Sequence, residues 1–163
     1  MPSWKCELYK IRQWCVSNSR LLESFYRVFE PAFVFLHPLW NAIGYKRVEV
    51  PVRFVEKTVK SLMFDCQMCG QCALSSTGMS CPMNCPKSIR NGPCGGVRLD
   101  GNCEVKPEMR CVWVEAWRGS QTMRKSDAIR QVQVPVNFSY KGSSSWLRIA
   151  RDEIAARDAE VKQ

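Results

Sequence analysis

Eight cysteines between Cys66 and Cys111 constrain this chain more than any other feature. They run Cys66-x2-Cys69-x2-Cys72-x8-Cys81-x3-Cys85-x8-Cys94-x8-Cys103-x7-Cys111, in a stretch otherwise rich in Gly, Pro, Asn and Met. That composition does not build a conventional core. It suits a loop wrapped around an inorganic centre, with the metal taking the place of the core. With two more at Cys6 and Cys15, the chain has 10 cysteines in 163 residues, well above a usual share.

Crowded cysteines are either a disulfide framework in an oxidising compartment or metal ligands in a reducing one. The segment from Met1 to Arg12 alternates charged and apolar residues and lacks the apolar run and small-residue cleavage site of a secretory signal. The longest apolar stretch, Pro31 to Gly44, is interrupted by His37, Pro38 and Asn41 and is shorter than the ~20 residues of a membrane span. The expectation is a cytoplasmic protein with reduced thiols and no membrane span.

The formal charge of +9 raises the question of nucleic acid. It is spread as +5 over residues 1–60, +1 over 61–118 and +3 over 119–163, with no run of five or six like charges. Thiolates around a metal would also reduce it. Nucleic acid is therefore not an expected partner, and a zinc-ribbon-like nucleic-acid binder is a minor alternative that predicts steeply salt-dependent affinity.

The chain divides into an aromatic-rich helical arm over 1–50, a cysteine-rich module over 51–118, and an extended connection with a terminal amphipathic helix over 119–163. In the first arm Leu21, Leu22, Phe25, Val28 and Phe29 mark one helical face, with capping candidates at Ser17 to Ser19 and Pro31 ending or kinking the helix. Phe33 to Trp40 either packs on the protein's own core or docks a partner. A second helix is expected over Val52 to Met63, with Val52, Val55, Val59 and Leu62 facing inward and Pro51 in its first turn. Val112 to Trp117 is a short strand or a helical turn. Arg118 to Gly142 reads as an extended surface crossing. Ser143 to Ser145 then cap a last helix, Trp146 to Val161, whose apolar side includes Leu147, Ala150 and Ile154 and which packs on the first helix or on a partner. The fold class is mainly α with irregular metal-binding loops, a small metal-thiolate module flanked by helical arms.

Within the module, Cys66, Cys69 and Cys72 at spacings of three let one tight loop place three thiolates on three corners of a 4Fe-4S cubane, with intervening amides donating to sulfur. Gly70 allows close backbone approach. The fourth ligand comes from farther on: Cys81 and Cys85 are each followed by proline, as a remote ferredoxin ligand often is. Cys94, Cys103 and Cys111, with whichever of Cys81 and Cys85 remains, can serve a second cluster or a four-thiolate zinc site, and some can be plain buried thiols. Zinc throughout is the next choice after iron-sulfur, and disulfides the last. Cys6 and Cys15, in the helical arm, are expected to be non-ligands. In Asn91 to Gly96 the glycines Gly92, Gly95 and Gly96 are expected to take positive φ and turn the chain around metal, since no Lys-Ser/Thr pair follows to make a phosphate loop.

No catalytic residue is expected. The single histidine, His37, sits in an apolar segment as a packed or capped residue, and no carboxylate pair or nucleophile-base pattern is visible. A cluster without a substrate site reads as an electron relay or a structural module serving another chain.

The strings Met63-Phe64-Asp65-Cys66-Gln67-Met68-Cys69-Gly70-Gln71-Cys72, Cys81-Pro82-Met83-Asn84-Cys85-Pro86-Lys87, Arg90-Asn91-Gly92-Pro93-Cys94-Gly95-Gly96 and Gly101-Asn102-Cys103-Glu104-Val105 resemble the methylenetetrahydrofolate reductase C-terminal domain family over roughly Val52 to Arg118. That family includes small iron-sulfur or zinc subunits of certain methylenetetrahydrofolate reductases. The resemblance implies an accessory electron-transfer subunit that exchanges electrons with the flavin of a separate reductase chain, where the folate and flavin sites would lie. A zinc-dependent structural or assembly module for a folate or corrinoid methyl-transfer partner is the alternative it implies.

Overall fold

The structure is a computed structural model that describes Ser3–Val161. Six helices carry it: α1 Ser3–Ser17, α2 Ser19–Phe35, α3 His37–Ile43, α4 Tyr45–Phe64, α5 Val112–Ser120 and α6 Ser145–Val161. Short 3-10 turns at Pro82–Asn84, Ser126–Arg130 and Phe138–Tyr140 punctuate the irregular segments. Among the described residues, extended pairing is confined to isolated bridges between Val97 and Cys103 and between Asn102 and Arg110. The mainly helical class expected from the sequence is observed.

Pro31, expected to end or kink the first helix, and Pro51, expected in the first turn of the second, both lie inside helices. Pro31 sits within α2 and Pro51 within α4, which begins at Tyr45 rather than Val52. Each proline removes an amide from the i→i−4 ladder, leaving the carbonyl of Arg27 or Arg47 without its helical donor. All four residues are exposed, so water can take over and the helix continues. The real break before α4 is Gly44 at φ 93°.

The buried faces also differ from the expected ones. On α2 the inward residues are Ser19, Leu22, Glu23 and Val34, while Leu21, Phe25 and Val28 are exposed. Ser19 is held by its hydroxyl, which donates to the Gly119 carbonyl at 2.6 Å; the Glu23 carboxylate accepts the backbone N–H groups of Arg124 and Lys125 at 2.7 and 3.1 Å. On α4 the inward row is Val48, Glu56, Lys60 and Phe64, and Val55, Val59 and Leu62 point outward.

Helix α1 packs on α4 and α5, and α6 packs on α2 and α4. Leu147 and Ala150 of α6 are buried, as expected, and Ile154 is half-buried. The Ser144 hydroxyl caps the helix by accepting the Leu147 N–H at 3.3 Å. Val112 to Trp117, open between strand and helix in the sequence, is helical in α5. Of the aromatic segment, Phe33 and Trp40 stack within the protein, with ring centroids 5.3 Å apart and Phe33 6.2 Å from Trp146, whereas Phe35, Leu36 and Leu39 are exposed. His37 is packed, its Nδ1 2.5 Å from the Tyr45 hydroxyl.

The cysteine-rich stretch does contribute to an ordinary core, contrary to the sequence-based expectation. Leu74 and Met79 bury with Cys15, Leu22, Phe64 and Met123, and Cys72 and Cys81 pack against that cluster. A smaller cluster gathers Cys111, Trp113 and Ala116.

Candidate metal centre

Helix α4 ends by aiming the chain into the thiol loop. Asp65 adopts the left-handed conformation at φ 52°, and the N–H groups of Asp65 and Cys66 close back on the carbonyls of Ser61 and Lys60 at 3.1 and 3.3 Å. The loop then coils tightly: Met68 at φ 48° and Gly70 at φ 71° separate three cysteines. Cys66, Cys69, Cys72 and Cys81 line one cavity, together with Glu56, Lys60, Met68, Met83 and Arg90. The Met68 N–H donates to Cys66 Sγ at 3.4 Å, the amide-to-sulfur bond a metal-bound thiolate would use.

Of the two candidates for a remote fourth ligand, the structure therefore brings Cys81, and not Cys85, into this cavity. Cys85 sits past the 3-10 turn, its carbonyl accepting from the Ser88 N–H at 2.8 Å. Cys94 and Cys103 both bear on the Lys87 ammonium, which is also paired with Glu104. Cys111 is buried among Trp113 and Ala116. Cys15 is fully buried in the helical core, away from the four-thiol cavity; the Cys6 side chain, also read as a non-ligand, lies outside the described residues.

Two of the four thiols, Cys66 and Cys81, hold their protons more tightly than a free cysteine does. Burial pushes Cys81 up to about 12, and the negative charges of Cys66 and Cys72 add to it; the Met83 N–H opposes. Burial raises Cys66 to about 11, opposed by the Met68 N–H and the Lys60 charge. Thiols that raise one another in this way are a set that a cation can discharge, and loading a soft metal must displace their protons. Among the described residues, no three Cys, His, Asp or Glu side chains converge on a single ion position. The donor set of four thiols about one cavity fits a thiolate-bound cluster.

Two features of the site were missed by sequence reasoning. The first is the buried Glu56–Lys60 pair: Lys60 Nζ donates to Glu56 Oε1 at 2.7 Å and to Ser145 Oγ at 2.8 Å, with both side chains at most 2% exposed. An i,i+4 Glu–Lys pair reads in sequence as a solvated helix face. Only its place in the row Val48, Val52, Glu56, Lys60, Phe64 hints at burial. The second is a strap over residues 131–142. Arg90 donates to the carbonyls of Val134 and Gln71 at 2.8 and 3.0 Å, Asn91 exchanges two bonds with Gln133 at 2.9 and 2.7 Å, Gln71 Oε1 accepts the Asn137 N–H at 2.6 Å, and the Gly142 N–H reaches the Met68 carbonyl at 2.8 Å. The expected surface crossing is thus bonded onto the thiol loop.

The strap also gives Gly70 its role. A side chain there would overlap the Tyr140 backbone and lie 2.8 Å from Ser143 Oγ. The expectation for Gly92, Gly95 and Gly96 is corrected: none takes a positive φ. A Cβ at Gly92 would run into the Trp113 ring, so closeness to a neighbour, not turning, requires a small residue there; one at Gly96 would meet only the Glu104 carboxylate, the end of a half-exposed side chain that can move aside.

No helix among the described residues is long and apolar enough to cross a membrane. No curated protein and no solved structure matches the sequence. Residues 45–139 match the family described as methylene-tetrahydrofolate reductase C terminal, a span that takes in α4, the four-thiol cavity, α5 and most of the strap. That is more than half of the chain, which therefore belongs to the methylene-tetrahydrofolate reductase C-terminal family.

Proposed function

We propose that this chain is an accessory iron-sulfur subunit that passes electrons to or from the flavin of a separate methylenetetrahydrofolate reductase-type chain in one-carbon metabolism. The observation that carries the reading is the gathering of Cys66, Cys69, Cys72 and Cys81 about one cavity beneath a bonded strap. In it these four thiolates hold a 4Fe-4S cluster, which supplies one-electron storage. The chain's own residues anchor it, donate an amide to sulfur from Met68, and exclude water with Met68 and Met83. The outward row of α4, with Phe54 at 71% exposed beside Val55, Val59 and Leu62, supports a covering partner.

Iron, acid-labile sulfide and zinc measured on protein purified without oxygen test this directly. About four iron and four sulfide per chain, with visible absorption that bleaches on dithionite, is the expected result; about eight of each would add a second cluster. Zinc without sulfide would overturn it and leave a zinc-dependent structural module. That second reading is favoured by Cys94 and Cys103, two thiols in an irregular stretch outside the four-thiol cavity.

A further inference from the structure

Lys60 stands on a wall shared by two cavities. One is the four-thiol cavity; the other is an aromatic cleft between α2 and α6, lined by Tyr26, Phe29, Phe33 and Trp146, which also reaches Cys72. The Lys60 ammonium lies 5.1 Å from the centre of the Trp146 ring. Its partner Glu56 is saturated on the α6 side, accepting from Ser144 Oγ at 2.6 Å and from Ser145 Oγ and N–H at 2.5 and 3.2 Å as well as from Lys60. The pair is therefore lopsided. Both groups border the four-thiol cavity, but the anion is spent on the start of α6, while the cation, though also bonded to Ser145, reaches the second cavity that Cys72 and Tyr26 line.

A buried ion pair is a poor way to join two helices, because each ion loses several kcal/mol of hydration and apolar residues of similar volume hold as well or better. Its placement against the thiols gives it a use that apolar residues could not supply. We infer that the Lys60–Glu56 pair sets the reduction potential of the group held by Cys66, Cys69, Cys72 and Cys81, Lys60 favouring the reduced state and Glu56 limiting that effect. This rests on the iron-sulfur reading above. Reduction adds one electron, and so one negative charge, to the thiolate-bound group; the electron comes from the partner's reduced flavin in the proposed complex or from dithionite in the test. No bond is made and no proton moves. A fixed ammonium in a site of low dielectric stabilises that added charge more than it would in water. Burial opposes the ammonium, but the Glu56 carboxylate bonded to it at 2.7 Å helps hold its proton on.

The test is a redox titration, followed by EPR and visible absorption, of the parent, Glu56→Gln, and Glu56→Gln combined with Lys60→Met. None of the three leaves a buried carboxylate without its cation. Removing the anion should shift the reduced-to-oxidised ratio at a given potential at least tenfold toward reduced, a rise of 59 mV for a one-electron couple. Removing the cation as well should reverse that shift by at least as much. Loosened packing would not reverse sign between the two. Variants that keep the parent's iron and sulfide but have unmoved potentials, or that move in one direction throughout, overturn the inference. So would loss of iron from the variants alone, which would make the pair structural. A parent without iron or sulfide would instead sink the iron-sulfur reading itself.

Discussion

At the residue scale the cysteines differ by what surrounds them more than by where they fall in the sequence. Spacing marks Cys66, Cys69 and Cys72 as one group and leaves Cys81 and Cys85 equivalent, since each precedes a proline. Only folding separates that pair, by packing Cys81 against the core and turning Cys85 away. In the proposed centre, Cys81→Ser should lose most of the iron and sulfide, whereas Cys85→Ser should keep the bleachable cluster; equal losses would remove the distinction. Cys15 offers a separate check, because it is fully buried in the helical core and does not line the four-thiol cavity. Burial raises its thiol from 9.0 to about 11. A raised acid binds its proton more tightly when folded, so its contribution is complete below about pH 9 and is lost as pH climbs to about 11. A hundredfold tighter hold on one proton corresponds to about 3 kcal/mol. Between pH 9 and 11 the parent should therefore lose about 2 kcal/mol of this, more than Cys15→Ala loses, read from urea midpoints at each pH. Parallel pH profiles would show that the thiol is not buried as described.

Among the elements, periodicity recovers existence better than orientation. The last helix begins within a residue of its expected start, and α4 ends within one of its expected end. The faces fail because burial on α2 and α4 is decided by polar side chains with distant partners: Glu23 receives the amides of Arg124 and Lys125, and Glu56 receives the start of α6. A hydrophobic pattern has no means of registering such partners, nor does it register the strap, whose bonds to Gln71, Arg90 and Asn91 join residues some 40 to 66 positions apart. Gly70 is where strap and thiol loop come closest, and it makes the strap testable. An alanine there must hold φ 71° and overlap the Tyr140 backbone. Left-handed backbone costs an L-residue about 1–2 kcal/mol and overpacking about 1–3 kcal/mol more. Gly70→Ala should therefore lower unfolding free energy by about 2–5 kcal/mol. It should also speed hydrogen exchange at the Gly142 amide, whose bond to the Met68 carbonyl spans the junction. Unchanged exchange at Gly142 would mean that the strap is not held by this approach.

For the whole molecule, the family segment is wrapped by helices it does not include. Helices α1, α2, α3 and α6 lie outside residues 45–139, yet α1 closes on α4 and α5, and α6 on α2 and α4. The arms thus complete the core of the family segment, and they cover one side of α4 only. Its other side keeps Phe54, Val55, Val59 and Leu62 in solvent, the last three of which belong to the row expected to face the core. Aliphatic and aromatic side chains aligned along two turns of an otherwise basic helix carry the cost of their hydration unless another surface covers them. In the proposed complex that surface belongs to the flavin-bearing chain, so the row can be altered without touching the thiols or the protein's own core. Phe54→Glu combined with Leu62→Glu should leave the circular dichroism spectrum and urea midpoint within about 0.5 kcal/mol of the parent, as surface substitutions do. Two central apolar anchors together are worth at least about 2 kcal/mol of binding, so affinity for the co-expressed reductase chain should fall about thirtyfold or more in calorimetry. Iron and sulfide content should not change. Undiminished affinity with an intact fold would move the docking site off α4, and loss of iron along with affinity would show that the helix serves the centre rather than the partner.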